Sequence, residues 1–512
     1  MKQLNENAAL YFVDRHTSGP NADKLAFVEA DGAGRTITYG ELSNNSDKMA
    51  EFYDRHGINR EDRAAVLVLD QIEFPVIFWG SLKCGIVPVA INTLLSTDVY
   101  DSILRDSRAR ILFVSELLLP TVEPALEDNP HINKVFVIGD NPGNHGNFSQ
   151  ELAGCKPREP ISVSSDECAF WLYSSGSTGQ PKGVRHVHGS LKFTADTYGA
   201  KVLGIDEPDI VYSAAKFFFA YGLGNAMTFP MSVGATTVIL SGRPTPDSVI
   251  GVLNAHSPTV FCGVPTLYAA LNAHIESGNG TIEAKLRRCL SAGEALPAEV
   301  GKAWEEQTDC EILDGVGSTE MLHIFLSNAP GNVEYGTSGI AVPGYDVRLV
   351  DENGNDVSDN QVGELLVNGN SSASDYWNQR EKTRSTFEGK WTRTGDKYER
   401  REDGRYVYCG RTDDMFKVSG IWVSPFEVEQ AISSHPDVLE SAVVPARDEK
   451  DLEKPKAFVI LKNGVSSDGM DVRLKERVQE QIGKWKYPRW IEFVDELPKT
   501  ATGKIQRFKL RD

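Results

Sequence analysis

The stretch Tyr173-Ser174-Ser175-Gly176-Ser177-Thr178-Gly179-Gln180-Pro181-Lys182-Gly183 crowds small, hydroxylated and cationic residues into one loop. Glycines let a backbone turn and approach a ligand closely, hydroxyls and exposed amides donate hydrogen bonds to anionic oxygens, and Lys182 adds a compact positive charge. This is the chemistry of gripping a phosphate chain. A Ser/Gly linker has a similar composition, but a tether is flanked by polar sequence. Here Phe170-Trp171-Leu172-Tyr173 before the loop and Val184 and Val187 after it read as buried strands. The loop is not the common nucleotide loop G-x-x-x-x-G-K-[ST], because Lys182 precedes Gly183 and not a hydroxyl residue.

Further polar clusters fall at the ends of apolar runs, where an α/β sheet presents its ligand crevice. In Asp314-Gly315-Val316-Gly317-Ser318-Thr319-Glu320, Glu320 suits Mg2+ and Thr319 a phosphate oxygen; the same string also reads as an ordinary turn with an acid in a helix first turn. Trp391-Thr392-Arg393-Thr394-Gly395-Asp396 ends on an acid able to accept both hydroxyls of a ribose, although Thr-Gly-Asp is common in turns. Gly410-Arg411-Thr412-Asp413-Asp414-Met415-Phe416-Lys417-Val418-Ser419-Gly420 fits either a linker or a hinge. Pro498-Lys499-Thr500-Ala501-Thr502-Gly503-Lys504 reads, by itself, as a solvated basic tail. His186 and His188 would share one strand face, but no third ligand lies nearby, so structural histidines are expected there and not a metal site.

The elements that must position these residues follow a strand-helix rhythm. Thr36-Ile37-Thr38 alternates as a strand and leads into a helix with Met49 and Phe52 on its apolar face. Ala64–Leu69, Val87–Ala90, Ala109–Val114, Lys134–Ile138, Thr236–Leu240 and Thr259–Cys262 are apolar runs of strand length, and a helix before Val87 ends on Gly85. Such alternation predicts a parallel sheet covered by helices. Residues 141–160 are polar and turn-rich, which predicts a surface connection. From about Gly339 the strands shorten and alternate, predicting a small antiparallel subdomain. After Asp413 a compact α+β unit is expected, with a helix from Pro425, strands at Ser441–Val444 and Lys456–Leu461, and a helix carrying Leu474, Val478 and Ile482 on one face.

With 512 residues the chain is long enough for several folding units or one large composite domain. Apolar residues at 40% and charged residues at 24% disfavour disordered, collagen-like and coiled-coil classes. The formal charge of -19 argues against a broad nucleic-acid footprint, so any anionic ligand must be met by local cations. No apolar run reaches membrane-spanning length and the start lacks a signal-peptide core, from which a cytoplasmic protein without membrane partners is expected. The seven cysteines include no C-x-x-C pair, so reduced core thiols are expected.

Taken together the clusters resemble the acyl-adenylate-forming superfamily of acyl-CoA ligases, luciferases and peptide-synthetase adenylation domains, in order and over nearly the whole chain. The resembling stretches are Ser174–Gly183, Ser291-Ala292-Gly293-Glu294, Gly317–Glu320, Gly363-Glu364-Leu365, Thr394–Asp396, Gly410–Gly420 and Lys499–Lys504. Ala214–Gly224 and Gly317–Phe325 look like the benzoate-CoA ligases within it. One departure is Val316, where many members carry an aromatic residue; a smaller, flatter site there suits a planar aryl acid.

The resemblance implies an α/β fold with a large N-terminal adenylate-forming domain over residues 1–412, parallel sheets with helices plus a small antiparallel subdomain, and a small mobile α+β domain over 413–512. It implies ATP, Mg2+ and coenzyme A as cofactors and a small aromatic carboxylic acid as substrate, with a homodimer as a candidate assembly. By position, Ser174, Ser177, Thr178, Gly179 and Lys182 would hold the β,γ-phosphates, Thr319 the α-phosphate and Glu320 the Mg2+. Gly293, Glu294, Asp314 and Gly315 would border the nucleotide, with Asp314 on the adenine amino group, and Asp396 with Arg411 would take the ribose. Lys504 would bridge carboxylate and α-phosphate, Asp413 would be the hinge, and Ser419, Gly420 and Trp422 would lie on the thioester-forming face. Ala220, Tyr221, Gly317, His323 and Ile324 would line the acyl pocket. The alternatives are an aryl-acid adenylating enzyme that loads a carrier protein, and a non-catalytic nucleotide or acyl-adenylate sensor. Lys216 has no assigned role.

Overall fold

A computed structural model describes residues 5–175, 181–418, 421–449, 452–483, 486–499 and 505–511. The chain forms two compact units, Met1–Val347 with Val367–Thr392, and Arg348–Leu366 with Arg393–Asp512.

The first unit contains two large sheets. One orders its strands Asp375–Tyr376, Pro181–Val187, Cys168–Ser175, Val87–Ala90, Arg63–Leu67, Ile111–Ser115, Lys134–Ile138 and Gly146–Asn147. Its inner strands pair in parallel, and they read as unbroken apolar runs because helices cover both faces. The other sheet carries the parallel strands Ile210–Ser213, Thr236–Ile239, Val260–Gly263, Arg288–Ser291 and Ile312–Gly317, with Ile324–Ser327 added antiparallel. The strands expected from apolar runs all form, with ends shifted by a residue or two.

Local chemistry sets the helix ends. Thr38 and Glu41 form a reciprocal capping box at the start of Tyr39–Arg55, whose Met49 and Phe52 are fully buried. Gly85 stops Glu73–Cys84 with a φ of 68°, a left-handed conformation that glycine adopts at no steric cost. Residues 141–160 are not only a surface connection: they contain the helix Phe148–Ala153, capped by Asn147. Phe148 packs on Phe52 and Phe113 at ring distances of 5.7 and 5.5 Å, so a single buried aromatic anchors a polar segment. The sequence pattern was too short to reveal a helical period there.

In the second unit Asp396–Arg400, the end of strand Trp391–Arg400, pairs antiparallel with Tyr406–Arg411. The α+β part follows: helix Pro425–Ser433 capped by Ser424, antiparallel strands Val438–Arg447 and Glu453–Leu461, and helix Met470–Ile482 with Leu474 and Val478 fully buried.

Candidate active site

The phosphate-type stretch is flanked by two paired strands. Strands Cys168–Ser175 and Pro181–Val187 pair in antiparallel register with Ser174 opposite Lys182, so the ladder fixes where the lysine leaves the sheet. Ser177, Thr178 and Gly179 lie outside the described residues. Ser174 Oγ is buried and has no hydrogen-bond partner among the described residues, an orphaned donor at the root of the loop.

Lys182 Nζ lies 3.3 Å from Glu320 Oε1 and 3.4 Å from the Tyr376 hydroxyl, and 4.5 Å from the centroid of the Tyr376 ring. Tyr376 OH donates to the same Glu320 Oε1 at 2.8 Å. Burial pushes the Glu320 carboxyl up, but the Lys182 ammonium and the Tyr376 hydroxyl more than offset it and hold the group below the ordinary carboxylate range. Glu320 is therefore ionised at neutral pH, as a Mg2+ ligand must be. The Lys182 and Glu320 side chains keep 12% and 15% exposure, enough to be reached from solvent.

Glu320 and Thr319 stand on the turn between Ile312–Gly317 and Ile324–Ser327. Three contacts fix that turn: Ser318 Oγ accepts from Met321 N–H at 3.1 Å, the Ala373 N–H donates to the Glu320 carbonyl at 2.7 Å, and His186 Nε2 donates to the Thr319 carbonyl at 2.8 Å. Burial pushes the His186 pKa down to about 4, and its ring stacks on Phe170 at 5.2 Å. It is thus neutral and serves as a strut, as expected of a structural histidine. His188 does not share its strand face: it opens the helix His188–Thr194, and its Nδ1 accepts from Ala8 N–H at 3.2 Å. No group of three metal-ligating side chains occurs among the described residues.

Asp314 and Gly315 stand on the same Ile312–Gly317 strand, with Asp314 paired to Ser291 of the neighbouring parallel strand. Gly293 follows that neighbour with a φ of 96°, and Glu294 beside it is exposed. Burial pushes the Asp314 carboxyl up to about 8, so it is mostly protonated at pH 7, and its Oδ1 has no hydrogen-bond partner among the described residues.

The other side of the turn is apolar and aromatic. Gly317 pairs with Ile324, and a Cβ on Gly317 would lie 2.5 Å from the His323 carbonyl, so only glycine permits this hairpin. The His323 ring packs against Tyr221 at 5.8 Å, Tyr198 at 5.0 Å and Phe229 at 4.5 Å. Burial pushes its pKa down to about 3, which leaves it uncharged. Tyr221 and Ala220 belong to the one-turn helix Ala220–Leu223. The segment before it is tied down twice: Phe217 N–H donates to Asp70 Oδ1 at 3.2 Å, and Lys216 Nζ donates to the Leu240 carbonyl and, at 2.9 Å, to the Gly242 carbonyl. Lys216 is therefore a structural residue that fastens the segment before Ala220 to the chain just past strand Thr236–Ile239.

In the second unit Asp396 lies opposite Arg411 in the ladder, and Arg411 Nη1 donates to Asp396 Oδ1 at 2.9 Å. Asp413 is exposed in the turn that follows, its carbonyl accepting from Arg511 at 3.2 Å. Ser419, Gly420 and Lys504, and the side chain of Trp422, lie outside the described residues. Tyr376 and His186 were not singled out for this chemistry by sequence: Tyr376 follows Ser-Asp with no motif of its own, and only the fold brings it to Glu320.

The AMP-binding enzyme family pattern matches residues 14–377, and that of the AMP-binding enzyme C-terminal domain matches 427–504. A 4-hydroxybenzoate–CoA/benzoate–CoA ligase of Rhodopseudomonas palustris is 51% identical over 509 residues, 99% of this chain and 94% of that protein. A benzoate–CoA ligase of Thauera aromatica is 49% identical over 99% of this chain and 95% of its own length. Among solved structures, a benzoate CoA ligase from Burkholderia xenovorans has a TM-score of 0.90 at 46% identity, covering 99% of this chain and 100% of that one. An anthranilate CoA ligase in complex with anthranoyl-AMP has a TM-score of 0.93 at 40% identity, covering 99% and 97%.

Proposed function

The chain belongs to the AMP-binding enzymes, and from that premise we propose an ATP-dependent aryl-CoA ligase acting on benzoate or a small substituted or heteroaromatic carboxylate. The observation that carries this reading is a single turn. One turn between Gly317 and Ile324 carries both Thr319 and Glu320, which we assign to phosphate and metal, and Gly317, His323 and Ile324, which we assign to the wall of a flat apolar ring. A carboxylate on a ring seated against that wall lies beside the phosphate-handling residues, which is the positioning that a carboxylate-to-phosphoryl transfer needs.

The residues fit the groups they would hold. Ser174 offers an orphaned hydroxyl and Lys182 an accessible ammonium to the β,γ-phosphates, Glu320 an ionised carboxylate to Mg2+, and Asp314 an unpartnered oxygen to the adenine amino group. Bound Mg2+ supplies neutralisation of charge on the phosphate oxygens. In the first half-reaction a carboxylate oxygen attacks the α-phosphorus and the bond to pyrophosphate breaks; in the second the coenzyme A sulfur attacks the acyl carbon and AMP leaves with the electron pair of the C–O bond. Lys504 is assigned to the first step, where its charge meets the negative charge building on the transferring oxygens. Asp413 is assigned as the hinge between the steps, with Ser419, Gly420 and Trp422 on the thioester-forming face; its exposed position in a turn suits it to absorb backbone rotation. The seven unpaired cysteines suit a reducing, cytoplasmic setting.

Pyrophosphate exchange over benzoate, aminobenzoates, hydroxybenzoates and furoate tests the substrate class; no exchange with any aryl acid would sink it. Lys504→Ala should abolish exchange yet still convert synthetic benzoyl-adenylate and coenzyme A to thioester, and equal loss of both steps would refute its role. Asp413→Pro, by restricting the backbone, should slow one half-reaction far more than the other; unchanged rates of both would remove the hinge.

A further inference from the structure

We infer that Tyr376 is a positioning residue of the phosphate end, holding Glu320 with its hydroxyl and Lys182 with its ring face so that the two ions can separate around MgATP without losing their places. This rests on the assignment of Lys182 and Glu320 to MgATP.

Lys182 and Glu320 are 3.3 Å apart, in mutual contact, yet the proposed chemistry requires the ammonium to turn to phosphate and the carboxylate to metal. An ion pair that opens in a half-buried site leaves each member undercompensated unless something else holds it. Tyr376 contacts both through different parts of one side chain. Its hydroxyl donates to Glu320 Oε1 at 2.8 Å, and its ring lies 4.5 Å beneath Lys182 Nζ, within the range of a cation–π contact. A hydroxyl bonded to one carboxylate oxygen also limits the rotation of the group.

The tyrosine is itself held firmly. Strand Asp375–Tyr376 pairs with Pro181–Val187, Tyr376 opposite Val184, so it stands on the strand next to the one that carries Lys182. Lys182 and Val184 point to the same face of their strand. Asp375 takes two hydrogen bonds from the Arg185 guanidinium, Tyr376 N–H donates to Thr383 Oγ1 at 3.1 Å, Trp377 N–H donates to the Gly183 carbonyl at 2.9 Å, and the Tyr376 ring packs on Phe387 at 5.3 Å. Tyr376 is 4% exposed, so its ring stays where the sheet puts it while the two ions move.

The test is calorimetric binding of a methylene-bridged ATP analogue to the full chain over a Mg2+ titration, with thermal melting of each variant alongside. Tyr376→Phe keeps the ring and loses the hydroxyl; the Mg2+ concentration for half-maximal analogue binding should rise roughly tenfold, the effect of one hydrogen bond to a charged group. Tyr376→Leu loses the ring as well, and analogue affinity should fall about threefold further. The KM for benzoate should stay at the parent value in the Phe variant. A Phe variant that melts lower but keeps the parent Mg2+ dependence would make Tyr376 a packing residue and overturn the inference, as would equal losses toward benzoate and nucleotide. If Lys182→Ala and Glu320→Gln also leave analogue binding untouched, it is the underlying MgATP assignment that fails. The Phe variant decides the matter even if the Leu variant does not fold, because it conserves the packed ring.

Discussion

The residues proposed for the phosphate end and those proposed for the aryl end share one turn but follow opposite electrostatic designs. At the phosphate end the charges are present, ionised and mutually compensated: Lys182, Glu320 and the Tyr376 hydroxyl lie within 3.4 Å of one another, and the two ions stay accessible. Around the residues proposed for the aryl ring, the His323 and Tyr221 side chains are neutral. His323 is pushed down to about 3 and the Tyr221 phenol well above its usual value, both by burial, and rings replace ions. On this assignment chemistry falls to one end and recognition by shape to the other.

Variants at the two ends should separate along this line. Glu320→Gln removes the carboxylate proposed for Mg2+ and should lower kcat by about 10²- to 10³-fold, the usual effect of losing a preorganised charge partner, while benzoate binding changes little. Steady-state kinetics with each substrate varied checks it; an equal rise in the KM for benzoate would erase the distinction. Gly224→Ala probes the opposite end: its Cβ would fall 2.4 Å from His323 Cδ2, forcing the ring wall to shift. Benzoate kcat/KM should fall roughly 10- to 100-fold, the scale at which pocket shape discriminates, with binding of the ATP analogue unchanged. The smallest effect is on stability against pH. His186, His188 and His323 have folded pKa values of about 4, 4 and 3, below the ordinary 6.5, so the unfolded chain binds protons first and stability is lost as pH falls from 6.5. Asp314, held at about 8 against 3.8, keeps a proton that the unfolded chain releases, so its contribution is lost as pH rises toward 8. Each proton is worth about 1.4 kcal/mol per pH unit. Urea melts from pH 4 to 8 should show that His186→Gln flattens the acid side and Asp314→Asn the alkaline side; parent-like curves for both would deny that these groups are buried neutral.

Much of this was legible in residue patterns because it depends on local rules. The apolar strand runs, the helix from Pro425 and the stop at Gly85 all report on neighbours in sequence, and all appear in the structure. What sequence missed depends on side chains that the fold brings together from far apart. Tyr376 is 56 residues from Glu320 and 194 from Lys182, and the His186 contact to Thr319 spans 133 residues, so no spacing rule could join them. Lys216, to which sequence assigned no role, is likewise explained only by the fold: its ammonium donates to two main-chain carbonyls. The helix Phe148–Ala153 escaped because six residues hold less than two turns of pattern.

The account stands most directly on the products formed from benzoate, MgATP and coenzyme A. Chromatography of the complete reaction should show benzoyl-CoA, AMP and pyrophosphate in equal amounts, with thioester absent when any one reactant is omitted. Turnover of ATP to AMP at the same rate without coenzyme A, or no thioester from any aryl acid in the complete mixture, would contradict it.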